Sequence, residues 1–143
     1  MIPFFDASAL AKRYVREPGS KMVRDALRRP GCAVARVTYG EVAAAIAQAA
    51  RRRMLDPTER ATAFDRLERD FRDLAIVEIR AALVRRIPDL VVRHPLRGYD
   101  AVQLAAALTL RGEGATVELW CADVELAKAA LTEGLKVVVP SGN

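Results

Sequence analysis

The sequence of 143 residues is poor in the residues on which much protein chemistry depends, with one histidine and two cysteines. The single histidine, His94, excludes a histidine-rich metal centre and leaves little material for a Ser–His catalytic pair. Cys32 and Cys121 lie in separate apolar segments, and neither has a second cysteine or a histidine at ligand spacing. We therefore expect two reduced, buried thiols rather than a disulfide or a zinc site.

Aromatic residues and long apolar runs are also scarce. Phe, Trp and Tyr make up 6% of the chain, too few for the stacking platform of many single-strand binders. No apolar run approaches the ~20 residues of a membrane span, and the first one is interrupted by Asp6. We therefore expect a soluble, cytoplasmic protein with no signal peptide and no membrane contact.

The overall composition is that of an ordinary folded domain. Hydrophobic residues make up 52% and charged residues 29%, so we expect a single domain, residues 1–143, with one sizeable core. The net charge of +5 favours polyanions such as RNA, but it is equally typical of an ordinary basic surface.

Short apolar segments alternate with longer amphipathic ones along the chain. The short segments predict strands at 2–5, 32–37, 74–79, 117–121 and 136–139. The longer segments predict helices at 7–16, 20–29, 38–54, 58–72, 80–93, 99–110 and 123–132. Pro88 is expected to kink the segment 80–93 or to restart its helix. Strands separated by helices imply parallel pairing through right-handed crossovers. The predicted fold class is α/β, a three-layer α/β/α sandwich with a mainly parallel central sheet.

Four acidic residues fall near the carboxyl ends of predicted strands, where ligands of open parallel sheets gather. Asp6 directly follows the first strand, and Glu41 lies in the first turn of the helix after the second strand. Asp123 follows the fourth strand, and Asp100 lies in the first turn of the helix that precedes that strand.

Each acid also has a purely structural explanation. Asp6 and Asp123 are suitable helix N-caps, because a short carboxylate accepts hydrogen bonds from free backbone N–H groups. Thr38 and Glu41 have the spacing of a capping box, and Asp100 would interact favourably with a helix dipole.

Taken together, the four acids favour a metal site. Carboxylates crowded at one edge of a sheet repel one another, and keeping them neutral at pH 7 would require large pKa shifts. A divalent cation such as Mg²⁺ or Mn²⁺ removes this repulsion and prefers oxygen ligands. Such a site can hydrolyse phosphodiester bonds without a Ser, Cys or His nucleophile.

The residues and the order of the acidic motifs resemble those of a known protein family. Four segments each contain one of the acids: 5–14 (FDASALAKRY), 38–45 (TYGEVAAA), 96–107 (LRGYDAVQLAAA) and 120–127 (WCADVELA). In this order the segments resemble the four acidic motifs of the PIN-domain nucleases, in particular the VapC toxins of bacterial toxin–antitoxin pairs. The resemblance covers essentially the whole chain.

The resemblance implies a Mg²⁺- or Mn²⁺-dependent endoribonuclease whose catalytic and metal-binding residues are Asp6, Glu41, Asp100 and Asp123. It implies that Ser8 supports the first acid. It also implies a homodimer that is neutralised by a cognate VapB-type antitoxin.

Two positions depart from the family pattern, and a third is an additional acid next to the fourth motif acid. Cys121 stands where the family commonly has Thr or Ser, an exchange expected to loosen a hydrogen bond without removing a ligand. Gln103 stands where many relatives have His, which we expect to matter little to the chemistry. Glu125 is expected to be a solvated helix residue rather than a fifth ligand.

An acidic pocket needs basic residues nearby if it is to accept RNA. Lys12 and Arg13 are close in sequence to Asp6, and Arg97 lies just before Asp100. These three cations are therefore the predicted phosphate contacts.

Other functions of acidic α/β domains fit less well. A receiver-type phosphoacceptor domain needs adjacent acids and a lysine at the last strand, whereas Asp6 stands alone and Lys136 precedes its strand. An aspartyl-nucleophile phosphatase needs Asp-x-Asp, and this chain has Ser8 at the second position. A catalytically silent PIN-like interaction module is the alternative that the sequence leaves open.

Overall fold

The computed structural model describes residues 1–142, in which five strands alternate with eight α-helices. The strands are β1 (Ile2–Phe5), β2 (Ala33–Ala35), β3 (Ala75–Val77), β4 (Val117–Trp120) and β5 (Lys136–Val138). The helices are α1 (Ala7–Leu10), α2 (Ser20–Ala26), α3 (Thr38–Arg51), α4 (Pro57–Asp73), α5 (Ala81–Val84), α6 (Ile87–Arg93), α7 (Gly98–Gly112) and α8 (Val124–Thr132). A 3₁₀ turn, Ala11–Arg13, continues α1.

The strands form one sheet in the order β3-β2-β1-β4-β5, and each neighbouring pair within residues 1–142 is parallel. This arrangement confirms the predicted α/β class. Strand β1 is central, with Phe5 in register with Val34 of β2 on one side and Trp120 of β4 on the other. The carboxyl ends of β1, β2 and β4 are therefore adjacent, and the segments that follow them meet at one edge.

Two apolar clusters cover the two faces of the sheet. Successive residues of a strand point to opposite faces, so Phe4 and Phe5 are buried in different clusters. Phe4 packs with residues of α7 and α8, including Leu104 and Leu126. Phe5 packs with residues of α1, α3 and α4, including Ile46. The result is the predicted three-layer sandwich.

Several helix boundaries differ from the sequence prediction for identifiable reasons. Helix α4 begins at Pro57 rather than Thr58, because Asp56 and Glu59 form a capping box around its first turn. The segment predicted as mostly helical over 80–93 is two helices, α5 and α6. Pro88 lies in the first turn of the second, which confirms that this proline restarts the helix. No helix in residues 1–142 has the length and apolar character needed to cross a membrane.

The turn after α1 is fastened to α4 by a charged cluster. The Nε of Arg13 donates to Oδ2 of Asp70 at 2.5 Å, and the Tyr14 hydroxyl donates to the same oxygen at 2.6 Å. All three side chains are largely shielded from solvent. Because both donors depend on one carboxylate, Asp70 fastens the turn after α1 to α4 on this face of the sheet.

We predict that Asp70→Ala lowers the free energy of unfolding by about 2 kcal/mol, because it leaves the shielded donors of Arg13 and Tyr14 without an acceptor. The measurement is urea unfolding followed by circular dichroism. Asp65→Ala, at an exposed position of the same helix, is the matched control and should change the value by no more than about 0.5 kcal/mol. Equal effects of the two variants would contradict the role given to Asp70.

Candidate active site

Asp6 lies at the junction of β1 and α1 and is 3% exposed. Its Oδ1 caps α1 by accepting a 2.8 Å hydrogen bond from the Ala9 N–H. The Ser8 hydroxyl lies 2.8 Å from each carboxylate oxygen and donates to the carboxylate. The same hydroxyl accepts a 2.9 Å hydrogen bond from the N–H of Ala122, just beyond β4. Ser8 therefore orients Asp6 relative to the neighbouring strand.

Glu41 is half-buried in the first turn of α3. The capping box proposed for it does not form, because α3 begins after Val37 with no side-chain cap. Instead, Oε1 of Glu41 accepts a 2.9 Å hydrogen bond from Nε2 of Gln103 on α7. The same Nε2 donates to Oγ1 of Thr38 at 2.8 Å.

Asp100 and Asp123 are also half-buried, at the starts of α7 and α8. Asp123 caps α8 by accepting a 2.8 Å hydrogen bond from the Leu126 N–H. The carboxylate of Asp100 accepts no hydrogen bond from any residue in 1–142. It is therefore the acid most available to a ligand.

Charge interactions connect the four acids in sequence. Burial raises the pKa of Asp6 to about 6, and the nearby charge of Glu41 adds to the effect. Burial also raises the pKa of Glu41, as does the charge of Asp100. The pKa of Asp100 is raised by burial and by Asp123, and it is lowered by Arg97. We call this chain of pairwise charge interactions, from Asp6 through Glu41 and Asp100 to Asp123, the electrostatic cluster.

Cys121 borders this cluster from the end of β4. Its Sγ donates to the backbone carbonyl of Asp123 at 3.2 Å, and it also interacts with the side chain of Asp6. Burial and the adjacent acids hold the pKa of this thiol well above its usual range, so it stays protonated. Cys32 is also a free, buried thiol, as expected.

The donor set suits a hydrated divalent cation. Within residues 1–142, no three Asp, Glu, His or Cys side chains are close enough to form a ready-made metal cluster. Mg²⁺, however, usually takes one or two carboxylates directly and keeps several water ligands. The all-oxygen chemistry and the raised carboxyl pKa values fit such an ion. The lack of a close group of three such side chains in residues 1–142 does not suit a cation ligated directly by all four acids at once.

The three basic residues predicted to contact phosphate differ in their exposure and in their partners within the protein. Lys12 is buried, and its Nζ donates to the Pro18 carbonyl at 2.8 Å. Arg13 is held by Asp70, so both cations already have partners within the protein, and their contact with RNA stays a prediction. Arg97 is exposed and lies close enough to Asp100 to lower its pKa.

Sequence reasoning did not identify the hydrogen bond from Gln103 to Glu41. One signal was present: Gln103 follows Asp100 by three residues on the same helix, and residues at this spacing share a face. Helix α7 therefore brings both side chains toward the same part of the molecule.

The fold and the acidic edge define an α/β protein with an all-carboxylate site at the ends of parallel strands. The PIN-domain profile matches residues 4–118. Ribonuclease VapC45 of Mycobacterium tuberculosis is 38% identical over 141 residues, covering 94% of this chain and 92% of that protein. The chain therefore belongs to the PIN-domain family.

Solved structures show the same fold. A toxin–antitoxin complex from Klebsiella pneumoniae contains a chain with a TM-score of 0.67 and 21% identity, covering 99% of both chains. VapC20 of Mycobacterium tuberculosis, described as a toxin that cleaves the sarcin–ricin loop, has a TM-score of 0.66 and 17% identity. The match covers 96% of this chain and 99% of VapC20.

The buried carboxylate of Asp6 predicts a pH effect on stability in the presence of a chelator. Its folded pKa of about 6 lies above the ordinary value of 3.8, so the folded state binds the proton more tightly. This contribution to stability is lost as the pH rises from about 4 to above 6. Asp6→Asn removes the titration while keeping an oxygen that can cap α1.

The variant should therefore match wild type near pH 4 and exceed it at pH 7.5 by about 1–3 kcal/mol in the free energy of unfolding. The measurement is denaturant unfolding in EDTA at a series of pH values. A difference that is constant with pH, or that has the opposite sign at pH 7.5, would show that burial does not raise the pKa of Asp6.

Proposed function

We propose that this chain is a metal-dependent endoribonuclease, the toxin of a VapBC-type toxin–antitoxin pair. The observation that supports this function best is that Asp6, Glu41, Asp100 and Asp123 all lie at the starts of helices packed on one parallel sheet. VapC45, which matches nearly the whole chain, is named a ribonuclease. The four acids are proposed to be both the catalytic and the metal-binding residues.

The proposed cofactor is Mg²⁺, with Mn²⁺ as an alternative occupant. When bound, such a cation would lower the pKa of a water molecule and offset the negative charge of an RNA phosphate. The carboxylates that would bind the cation differ in how firmly protein hydrogen bonds hold them. Asp6 is fixed by Ser8 and Ala9, Glu41 is oriented by Gln103, and Asp100 is free of protein hydrogen bonds in residues 1–142.

An RNA phosphate would approach a strongly negative pocket, so a cation at its entrance would help to bind it. Arg97 is the one of the three predicted cations that is exposed and near an acid of the site. We propose that Arg97 contacts the RNA backbone, and that Lys12 and Arg13 have structural roles.

The proposed partners are RNA, a VapB-type antitoxin and a second copy of this chain. Support for the antitoxin comes from the Klebsiella pneumoniae relative, whose structure is of a toxin–antitoxin complex. RNA and such an antitoxin are cytoplasmic molecules, and we propose the cytoplasm as the place of action.

A catalytically silent PIN-like module is the alternative function, and a cleavage assay separates the two. Wild-type protein should cleave RNA with Mg²⁺ and lose the activity in EDTA. Asp6→Asn should reduce the rate at least 100-fold while the protein remains folded, because the variant removes a charged candidate ligand. Asp65→Asn is the control for removal of a surface carboxylate and should cleave at the wild-type rate.

Activity of wild type in EDTA would contradict the metal dependence. Undiminished cleavage by Asp6→Asn would contradict the assignment of the site. Absence of cleavage by wild type across varied RNA substrates would favour the silent module.

Arg97→Ala should weaken RNA binding by about tenfold at low salt and reduce the salt dependence of binding, because it removes one phosphate contact. Fluorescence anisotropy with a labelled RNA over a range of salt concentrations measures both effects. Arg66→Ala, at an exposed position of α4, is the matched control. If both variants bind like wild type, Arg97 does not contact the RNA.

A further inference from the structure

Gln103 is a buried amide between two helices that carry acids of the site. The side chain belongs to α7 and is 1% exposed. Its Nε2 donates to Oγ1 of Thr38 at 2.8 Å and to Oε1 of Glu41 at 2.9 Å. Both amide hydrogens are therefore engaged by residues of α3.

The contact with Gln103 is the hydrogen bond that orients the Glu41 carboxylate within residues 1–142. Helix α3 offers Glu41 no capping interaction, because Val37 precedes the helix without a side-chain cap. The second hydrogen bond, to the fully buried Thr38, fixes the amide so that its other hydrogen is directed at Glu41. A donor held in this way selects one orientation of the carboxylate.

The amide oxygen of Gln103 indicates that a contribution to fold stability alone does not account for glutamine at this position. Oε1 of Gln103 is buried and has no hydrogen-bond partner in residues 1–142. A buried acceptor without a donor destabilises the folded state, whereas an apolar side chain of similar length would avoid that cost. The useful part of the side chain is therefore the amide nitrogen.

The position of Gln103 on α7 couples it to a second acid. Asp100 and Gln103 are three residues apart, so they share one face of the helix. The helix thus supplies one acid directly and orients another, Glu41, through the amide. The charge interaction between Asp100 and Glu41 shows that the two carboxylates are near each other.

We infer that Gln103 is a positioning residue, which fixes the Glu41 carboxylate relative to Asp100 in the cation site. This inference rests on the proposed metal-dependent function. It assigns to Gln103 a role in cation binding that acts through Glu41, with no direct contact to the cation or to RNA.

The test compares Mn²⁺ binding with thermal stability in three variants. Gln103→Met keeps the length of the side chain and removes the donor, whereas Gln103→His keeps an N–H donor. Thr109→Val, near the far end of α7, is the control for a change in the same helix. Calorimetric titration with Mn²⁺ gives the affinity, and thermal unfolding in EDTA gives the stability.

Gln103→Met should bind Mn²⁺ about 10- to 100-fold more weakly than wild type, the range typical of residues that orient metal ligands. Its midpoint of thermal unfolding in EDTA should stay close to that of wild type, because the loss of the unpartnered Oε1 offsets the loss of the donor to Thr38. Gln103→His should recover at least part of the affinity, and Thr109→Val should bind like wild type.

The outcomes separate this inference from the proposed function. If wild type binds Mn²⁺ and Gln103→Met binds it equally well, the positioning role is wrong and the proposed function stands. If Gln103→Met loses affinity only together with a large loss of thermal stability, and Gln103→His does the same, the role of Gln103 is structural. If wild type binds no Mn²⁺, both the inference and the metal-dependent function fail.

Discussion

The burial of neighbouring carboxylates, with the repulsion between them as a smaller addition, is the constraint on which the candidate site depends. Asp6 is almost fully buried, pairs with no basic residue among residues 1–142, and interacts with the charge of Glu41. Glu41 interacts in turn with Asp100, and Asp100 with Asp123. Such a cluster destabilises the folded chain unless a proton or a cation compensates it. Its presence is the physical reason to assign a cation-dependent function to this edge of the sheet.

The parallel sheet explains how the cluster can exist at all. The carboxyl ends of β1, β2 and β4 are adjacent, and the helices that follow them begin near the same edge. Backbone N–H groups at two helix starts offset part of the repulsion, since Asp6 and Asp123 serve as N-caps. The structural explanation for these two acids is thus compatible with a functional one. Each carboxylate retains capacity to bind a further ligand, because a cap occupies only part of it.

The sequence was sufficient to predict the α/β fold and the family, because strand and helix periodicity and the four acidic motifs are local signals. The sequence did not predict which of the basic residues near the acids are bound to other parts of the protein. Lys12 and Arg13 are near Asp6 in sequence, but Lys12 binds the carbonyl of Pro18, six residues on, and Arg13 binds Asp70 through a long-range contact. The capping box at Glu41 was wrong for the same reason, since Gln103 lies 62 positions away in the sequence. Spacing along the chain does not report such tertiary contacts.

The most direct test of the account is an anomalous-diffraction map from crystals of this protein grown with Mn²⁺. The account predicts a peak at the edge of the sheet among Asp6, Glu41, Asp100 and Asp123, with water completing the coordination. A map with no peak there at saturating Mn²⁺, and with the four carboxylates bound only to protein hydrogen-bond donors, would contradict it.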